Sequence, residues 1–183
     1  MASEAINLGS SPRPGAMKSR QEIIPYEEVF RALNKAKVEY AVCGGAAVIL
    51  FGFARLTVDL DLIVDLEEAN LAKLYDVLIK LHYQSKAPIK KEEFVRKDKL
   101  EKLGREKNMK VVSFYNLKDS FKVIDIGVNL PKITEILKSK KNIRIKDLVI
   151  PLISIEELIK MKKPVGRPQD LIDVENLKRI KEQ

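Results

Sequence analysis

Cysteine and histidine are almost absent from this sequence of 183 residues, which contains one of each. Cys43 cannot form an internal disulfide bond on its own, and a chain without disulfides suits a reducing cytoplasm. His82 alone leaves little room for a histidine-based metal site or a Ser-His-Asp triad. No apolar run approaches the ~20 residues that span a bilayer, and the N-terminus lacks the apolar core of a signal peptide. We therefore expect a cytoplasmic protein without a membrane partner.

The composition is that of a globular protein with a sizeable core, because 45% of the residues are hydrophobic and 33% are charged. The formal net charge is +8 and favours anionic partners. Two explanations of this positive charge are about equally supported: the binding of nucleic acid or nucleotides, and a lysine-rich surface that serves solubility or thermostability.

The chain divides into a short leader and one domain. Residues 1–20 are rich in Gly, Ser, Pro and Ala and show no periodicity, so we expect a disordered leader. A vector origin, with Met17 as the natural start, is one explanation for it. Residues 21–183 are expected to form a single domain that includes the C-terminal helices.

Helices and strands alternate irregularly along that domain. Asp65 and Ser154 are predicted to cap helices, Pro151 to end the last strand, and the residues between 110 and 128 to form a hairpin. Pro168 is predicted to open the last helix, whose apolar side is expected to consist of Leu171, Ile172, Val174, Leu177 and Ile180. This order favours an α+β fold, a mixed β-sheet flanked by helices, over a doubly wound parallel sheet. The apolar pattern predicts helices at 25–37, 46–51, 66–80, 131–138, 154–162 and from 168, a weak helix at 90–110, and strands at 39–43, 58–64, 110–115, 121–128, 143–145 and 148–150, with 82–89 as strand or loop.

The stretch from residue 40 to residue 65 carries the strongest functional signal. Asp59 and Asp61 project from the same face of one strand, and Val58, Leu60 and Leu62 are expected on the other face, in the core. Two carboxylates so close together suit Mg²⁺ with its retained waters and substrate phosphates. Gly44 and Gly45 stand between a strand and a helix start, where free amides favour a phosphate. Each feature also has a plain structural explanation, as a polar strand end or a tight turn, but their combination is specific.

A third acid, Asp125, interrupts an apolar strand. A charge among apolar residues is costly unless it is paired or binds a metal. A neighbouring strand could place Asp125 beside Asp59 and Asp61, and a buried ion pair with a lysine or arginine is the alternative.

These motifs resemble the DNA polymerase β-type nucleotidyltransferase superfamily, and within it the AbiEii-like or minimal nucleotidyltransferases of toxin–antitoxin systems. The resemblance rests on Gly44-Gly45, on R-x-T-x-D-x-D from Arg55 to Asp61, and on Asp125. It spans roughly residues 25–182. A less specific C-terminal motif resembles the closing helix of that group and comprises Lys162, Gly166, Arg167, Asp170 and Asp173.

The resemblance implies nucleotidyl transfer from an NTP with two Mg²⁺ ions, for which Mn²⁺ could substitute. Asp59 and Asp61 would hold both ions, and Asp125 would complete the site and could accept the proton of the acceptor hydroxyl. The amides of Gly44 and Gly45 would hold the triphosphate. Many relatives have serine where this chain has Gly45, which leaves phosphate binding to backbone and basic side chains.

Three basic residues could contact phosphate, each with an alternative. Arg55 could bind phosphate or pair with an acid, and the two are about equally supported. Lys162 and Arg167 could also reach a phosphate. A local salt bridge between Arg167 and Asp170 is slightly favoured for the arginine.

The resemblance is compatible with several classes of acceptor. RNA such as tRNA, a tyrosine of a partner toxin or antitoxin, and a drug are each compatible with the resemblance. Residues 86–110 carry ten Lys or Arg against five acids, and residues 132–146 carry six against one, which suits a polynucleotide or a solvated helical face. The alternative of another class is a basic nucleic-acid-binding module with a degenerate, non-catalytic site.

Overall fold

The computed structural model describes residues 25–106 and 109–182, so the predicted leader at 1–20 lies outside the described residues. The elements are α1 (Glu27–Lys35), β1 (Tyr40–Val42), α2 (Gly44–Leu50), β2 (Asp59–Val64), α3 (Glu68–Lys80), β3 (Tyr83–Ser85), α4 (Lys91–Phe94), α5 (Lys97–Glu106), β4 (Val111–Asn116), β5 (Val123–Gly127), α6 (Ile133–Lys138), β6 (Lys141–Ile145), β7 (Leu148–Leu152), α7 (Ile155–Lys162) and α8 (Pro168–Lys181).

The seven described strands form one mixed sheet in the order β3-β4-β5-β2-β1-β7-β6. The pairs β2/β5 and β1/β7 are parallel, and the other four pairs are antiparallel. The predicted α+β fold with a mixed sheet and flanking helices is therefore confirmed. No helix among the described residues is both long and apolar enough to cross a membrane.

The central strand β2 shows how the sheet separates core from site. Leu60 and Leu62 are buried and alternate with Asp59, which is exposed, and Asp61, which is half-buried. Successive side chains of a strand point to opposite faces, so the apolar residues enter the core while the acids share the other face. Val58 was expected to join the core, but it precedes the strand and is 59% exposed.

Two predicted element ends are wrong for local reasons. Asp65 does not cap α3, because Glu67 occupies the cap position and its N–H donates to Asp65 Oδ1 at 3.3 Å. The carboxylate therefore stabilises a turn before the helix. Pro151 does not end β7, which continues to Leu152. Pro151 lies opposite Asn142 of β6, at a position where the ladder between the two strands does not need its missing N–H.

The C-terminal helices follow their sequence signals except in one respect. Helix α7 is capped by Ser154, whose Oγ accepts a hydrogen bond from the Glu157 N–H at 3.3 Å, and α8 begins at Pro168, both as predicted. Leu171 and Ile172 were expected on the apolar side of α8, but both are more than half exposed. The buried side of α8 consists instead of Asp170, Asp173, Val174 and Leu177.

Candidate active site

The register of the parallel strands β2 and β5 brings the three acids together. Asp61 is directly opposite Asp125, and Asp59 is opposite Val123. Residues that face each other in a ladder point to the same side of the sheet. The three carboxylates therefore share one face, at the end of the sheet where both strands begin.

Helix α2 begins directly beside Asp61. Gly44 has a φ of +62°, and a Cβ atom at this position would overlap the Asp61 carboxylate. Only glycine combines that backbone conformation with so close an approach. The backbone amide of Gly45 acts on the same carboxylate and lowers its pKa. In this structure the second glycine of the predicted phosphate cradle therefore interacts with Asp61.

The crowding of the acids shows in their electrostatics. Burial raises the pKa of Asp61 to about 6, and the charges of Asp125 and Asp59 add to that effect. The Gly45 amide and the Lys162 ammonium act in the opposite direction. Asp125 Oδ1 is buried and has no hydrogen-bond partner in the described part of the chain. A buried carboxylate oxygen without a partner is costly, so this position favours a bound cation or donor.

Arg55 lies over Gly45 and pairs with an acid. Its Nη1 forms an ion pair with Asp173 Oδ2, whose side chain is only 1% exposed. A Cβ atom on Gly45 would come within 2.7 Å of Thr57 Oγ1 and 3.0 Å of Arg55 Cζ. Arg55 and Thr57 thus fill the volume that a serine at position 45 would need, which explains the glycine.

Lys162 and Arg167 belong to the same set of charges. Lys162 Nζ is buried and lies 2.8 Å from Asp173 Oδ2 and 3.2 Å from Asp170 Oδ1. Arg167 Nε lies 2.9 Å from Asp170 Oδ2, so the favoured salt bridge of the arginine is present. These five residues form one chain of alternating charges, from Arg55 through Asp173, Lys162 and Asp170 to Arg167. We call it the α8 charge chain.

The cavity between the sheet and the C-terminal helices contains every predicted site residue. Its volume is about 460 Å³, and its wall also includes the apolar side chains of Leu158, Met161 and Val165. A larger cavity of about 610 Å³ lies between α1 and strands β6 and β7 and contains none of these carboxylates. The predicted site residues that line the smaller cavity are Gly44, Gly45, Arg55, Asp59, Asp61, Asp125, Lys162 and Arg167.

Some residues of the site were missed from sequence. Asp170 and Asp173 appeared only as members of a motif, although their spacing of three on a helix predicts one shared face. Tyr26 gave no signal at all. Its hydroxyl donates to the Val58 carbonyl at 2.6 Å and accepts from the Val123 N–H at 3.2 Å, so it joins the starts of β2 and β5 beside Asp59.

The donors of the cavity suit a hard divalent cation. Within the described residues, no group of three or more His, Cys, Asp or Glu side chains is arranged so that it could hold a metal ion on its own. Mg²⁺ needs only one or two carboxylates when substrate phosphates and waters complete its shell. Asp61 and Asp125, opposite each other with one unpartnered oxygen, fit that requirement.

The mixed sheet and its flanking helices form a nucleotidyltransferase-like fold, which three solved structures share. The lincosamide antibiotic adenylyltransferase LnuA, solved with lincomycin bound, has a TM-score of 0.56 and 17% identity over 82% of this chain and 92% of its own. A nucleotidyltransferase-like antigenic protein from Paracoccidioides brasiliensis has a TM-score of 0.53 and 15% sequence identity, over 82% of this chain and 72% of its own. A nucleotidyltransferase candidate from Thermotoga maritima, TM1012, has a TM-score of 0.51 and 14% sequence identity, over 85% of this chain and 90% of its own.

These likenesses establish the fold. No family model and no curated protein matches the sequence. The narrower AbiEii-like assignment therefore stays a prediction.

Proposed function

We propose that this protein is an Mg²⁺-dependent nucleotidyltransferase that moves a nucleoside monophosphate from an NTP to a hydroxyl acceptor. The observation that carries the proposal is the β2/β5 register, which sets Asp61 opposite Asp125 on one wall of a cavity. Gly44 brings the start of α2 against the same carboxylate. The fold shared with nucleotidyltransferases supports it.

In the proposed reaction, the acceptor oxygen forms a bond to the α-phosphorus while the bond to the bridging oxygen of pyrophosphate breaks. Asp59, Asp61 and Asp125 would hold the metal, which neutralises charge on the phosphates when bound. The acceptor proton passes to a carboxylate, for which Asp125 is suited because its Oδ1 is buried and unpartnered. Pyrophosphate leaves with the electron pair of the broken bond.

The basic residues of the cavity would receive the triphosphate. Arg55 uses Nη1 for Asp173 and donates from Nε to the Leu56 carbonyl at 3.3 Å. The α8 charge chain has three cations and two carboxylates, so it keeps one net positive charge beside the acids of the sheet. Such an arrangement favours a polyanionic substrate while it holds the arginine and lysine side chains in place.

We further propose that the acceptor is a macromolecule, RNA or a partner protein, in a toxin–antitoxin pair. The support for RNA is the basic excess of residues 86–110 and 132–146. The cavity of about 530 Å³ where α5 and the start of α6 meet adds nothing to it, because its lining balances three basic residues against three acids. That cavity lies at the opposite end of β2 from Asp59. Exposed apolar side chains support a partner protein as the acceptor, since Leu56 is 96% exposed and Val58 is also exposed beside Asp59.

A basic nucleic-acid-binding module with a degenerate site is the second candidate. Its support is that the Gly45 amide, Arg55 and Lys162 are all engaged within the chain. An enzyme must release or share those donors when it binds a triphosphate. A binding module has no such requirement.

Labelling experiments separate the two candidates. The protein is incubated with each α-phosphate-labelled NTP, Mg²⁺ or Mn²⁺, and a cell extract, and transfer of label to RNA or protein is measured. We expect Asp61→Asn and Asp125→Asn to lose at least ~100-fold in labelling rate, the lower range for loss of a catalytic acid–base group. Asp147→Asn, the same change at an exposed acid that pairs with Arg31, is the control and should label normally.

Each result decides between the candidates. Label that appears with the wild-type protein and Asp147→Asn but not with the two site variants supports the enzyme. If no NTP labels any acceptor with either metal, while RNA binds the Asp61→Asn variant as tightly as the wild type or more tightly, the protein is a binding module.

A further inference from the structure

Strand β6 is the outermost strand at one end of the sheet. Its inner neighbour is β7, and no other described strand pairs with its outer edge. A two-residue turn of Lys146 and Asp147 joins β6 to β7, and Lys146 has a φ of 57°. A free edge presents backbone N–H and C=O groups that can pair with another extended chain.

The register identifies which backbone groups face outward. In a two-residue hairpin the residues that flank the turn form a hydrogen-bonded pair, so Ile145 bonds to Leu148 and the pairs then alternate. Ile143 likewise directs its backbone groups toward β7. Asn142 and Arg144 therefore direct theirs away from the sheet, at the spacing that a new strand would need.

The edge is strongly basic. Residues 141–146 contain three basic residues and no acid. Lys141, Arg144 and Lys146 are exposed, and no carboxylate of the described residues forms an ion pair with any of them. Like charges so close together repel each other, and an acidic partner would relieve that repulsion.

The two faces of β6 differ. Ile143 and Ile145 pack against the core yet remain partly exposed on one face. On the other face, Asn142 borders the 610 Å³ cavity, whose basic lining residues are Arg31, Lys37 and Lys140. Arg31 and Lys140 already pair with carboxylates, whereas Lys37 has no ion-pair partner in the described part of the chain.

We propose that the β6 edge binds an extended acidic segment of a partner protein, which adds to the sheet as a further strand. Its alternate side chains would be acidic toward Arg144 and Lys37 and apolar toward Ile143 and Ile145. Backbone pairing requires a peptide, because the sugar-phosphate backbone of a polynucleotide has no regularly spaced amide groups to match the outward N–H and C=O groups. A second copy of this chain is disfavoured, because two basic edges would repel each other.

The test uses a capped peptide of alternating valine and glutamate, titrated into the full-length protein at low salt. We expect saturable binding, with amide NMR shifts and slowed hydrogen exchange at Asn142 and Arg144. Failure to bind at millimolar peptide overturns the proposal, as do shifts confined to other elements. Equal binding of a valine–lysine peptide, or displacement by an oligoribonucleotide of equal charge, also overturns it.

Variants separate charge from backbone pairing. Arg144→Glu should weaken peptide binding at least tenfold, whereas Lys178→Glu, an exposed charge reversal on α8, should leave it unchanged. Asn142→Pro removes one outward N–H without altering charge and should weaken binding comparably. Circular dichroism checks that each variant is folded. Wild-type affinity in both folded β6 variants would refute the proposed edge.

Discussion

At the scale of single residues, Gly44 is where the backbone and a proposed metal-binding carboxylate approach most closely. Two separate factors act there: a φ of +62° and the overlap of any Cβ atom with Asp61. Gly52 isolates the first factor, because it has a φ of +103° and no atom within 4 Å of a would-be Cβ. Gly52 therefore serves as the comparison for backbone strain without crowding, although its φ lies further outside the left-handed region that L-residues adopt.

We predict that Gly44→Ala destabilises the fold more than Gly52→Ala does. The change at Gly52 should cost about 1–3 kcal/mol for the strained backbone. At Gly44 a further ~1–3 kcal/mol should follow, because Asp61 must move. Urea unfolding measures both, and the labelling assay should fall for Gly44→Ala alone. Equal unfolding free energies would contradict the close packing at Gly44.

Asp61 also predicts a pH dependence of stability in metal-free buffer. Its pKa is about 6 in the folded state against an ordinary value of 3.8, so the folded protein holds a proton that the unfolded chain has lost between these pH values. The free energy of unfolding should therefore fall as pH rises from about 4 to about 6. The slope approaches ~1.4 kcal/mol per pH unit for one proton.

The Asp61→Asn variant provides the comparison for that slope. Asparagine does not titrate, so the variant should gain stability relative to the wild type between pH 4 and pH 6 and keep a constant difference above that range. Urea unfolding at several pH values measures it. A constant difference across the whole range would show that burial does not perturb the Asp61 carboxylate.

At the scale of elements, the α8 charge chain ties α8 and α7 to the residues that precede β2. Lys162 is the central cation, because it contacts both buried carboxylates of α8. Lys160 lies on the same helix and pairs with Glu157, but its side chain is 69% exposed. The two lysines differ mainly in burial.

We predict that Lys162→Met destabilises the protein by about 3–5 kcal/mol, since it leaves two buried carboxylates with less compensation. Lys160→Met should cost no more than ~1 kcal/mol, as expected for an exposed pair. Thermal or urea unfolding of both variants measures this. A second change, Asp173→Asn, should recover part of the loss in Lys162→Met, and a further loss in the double variant would contradict the charge account.

Local signals in the sequence predicted most elements, and their failures have physical causes. Ser154 and Pro168 set helix starts through their own chemistry, so they were predictable. Leu171 and Ile172 were misplaced because buried ion pairs on α8, rather than apolar residues alone, decide which side faces inward. Pairing of acids and bases across elements is a tertiary property that helical spacing does not contain.

At the scale of the whole molecule, the meeting of Asp59, Asp61 and Asp125 was predictable from residue type and strand pattern. The crowding around Gly45 was not predictable, because Arg55 is paired there with Asp173 of a helix distant in the sequence. The anion cradle seen in the sequence is thus partly occupied by the protein's own side chains.

Contacts between residues that are far apart in the sequence have a consequence for the order of folding. Val42 pairs with Leu152, and Arg55 bonds to Asp173 across a sequence separation of 118 residues. Contacts so distant in sequence close slowly, since loop entropy is lost before they form. A nascent chain on the ribosome therefore cannot complete the cavity until α8 has emerged, so a truncated translation product would carry all three sheet carboxylates without the finished site.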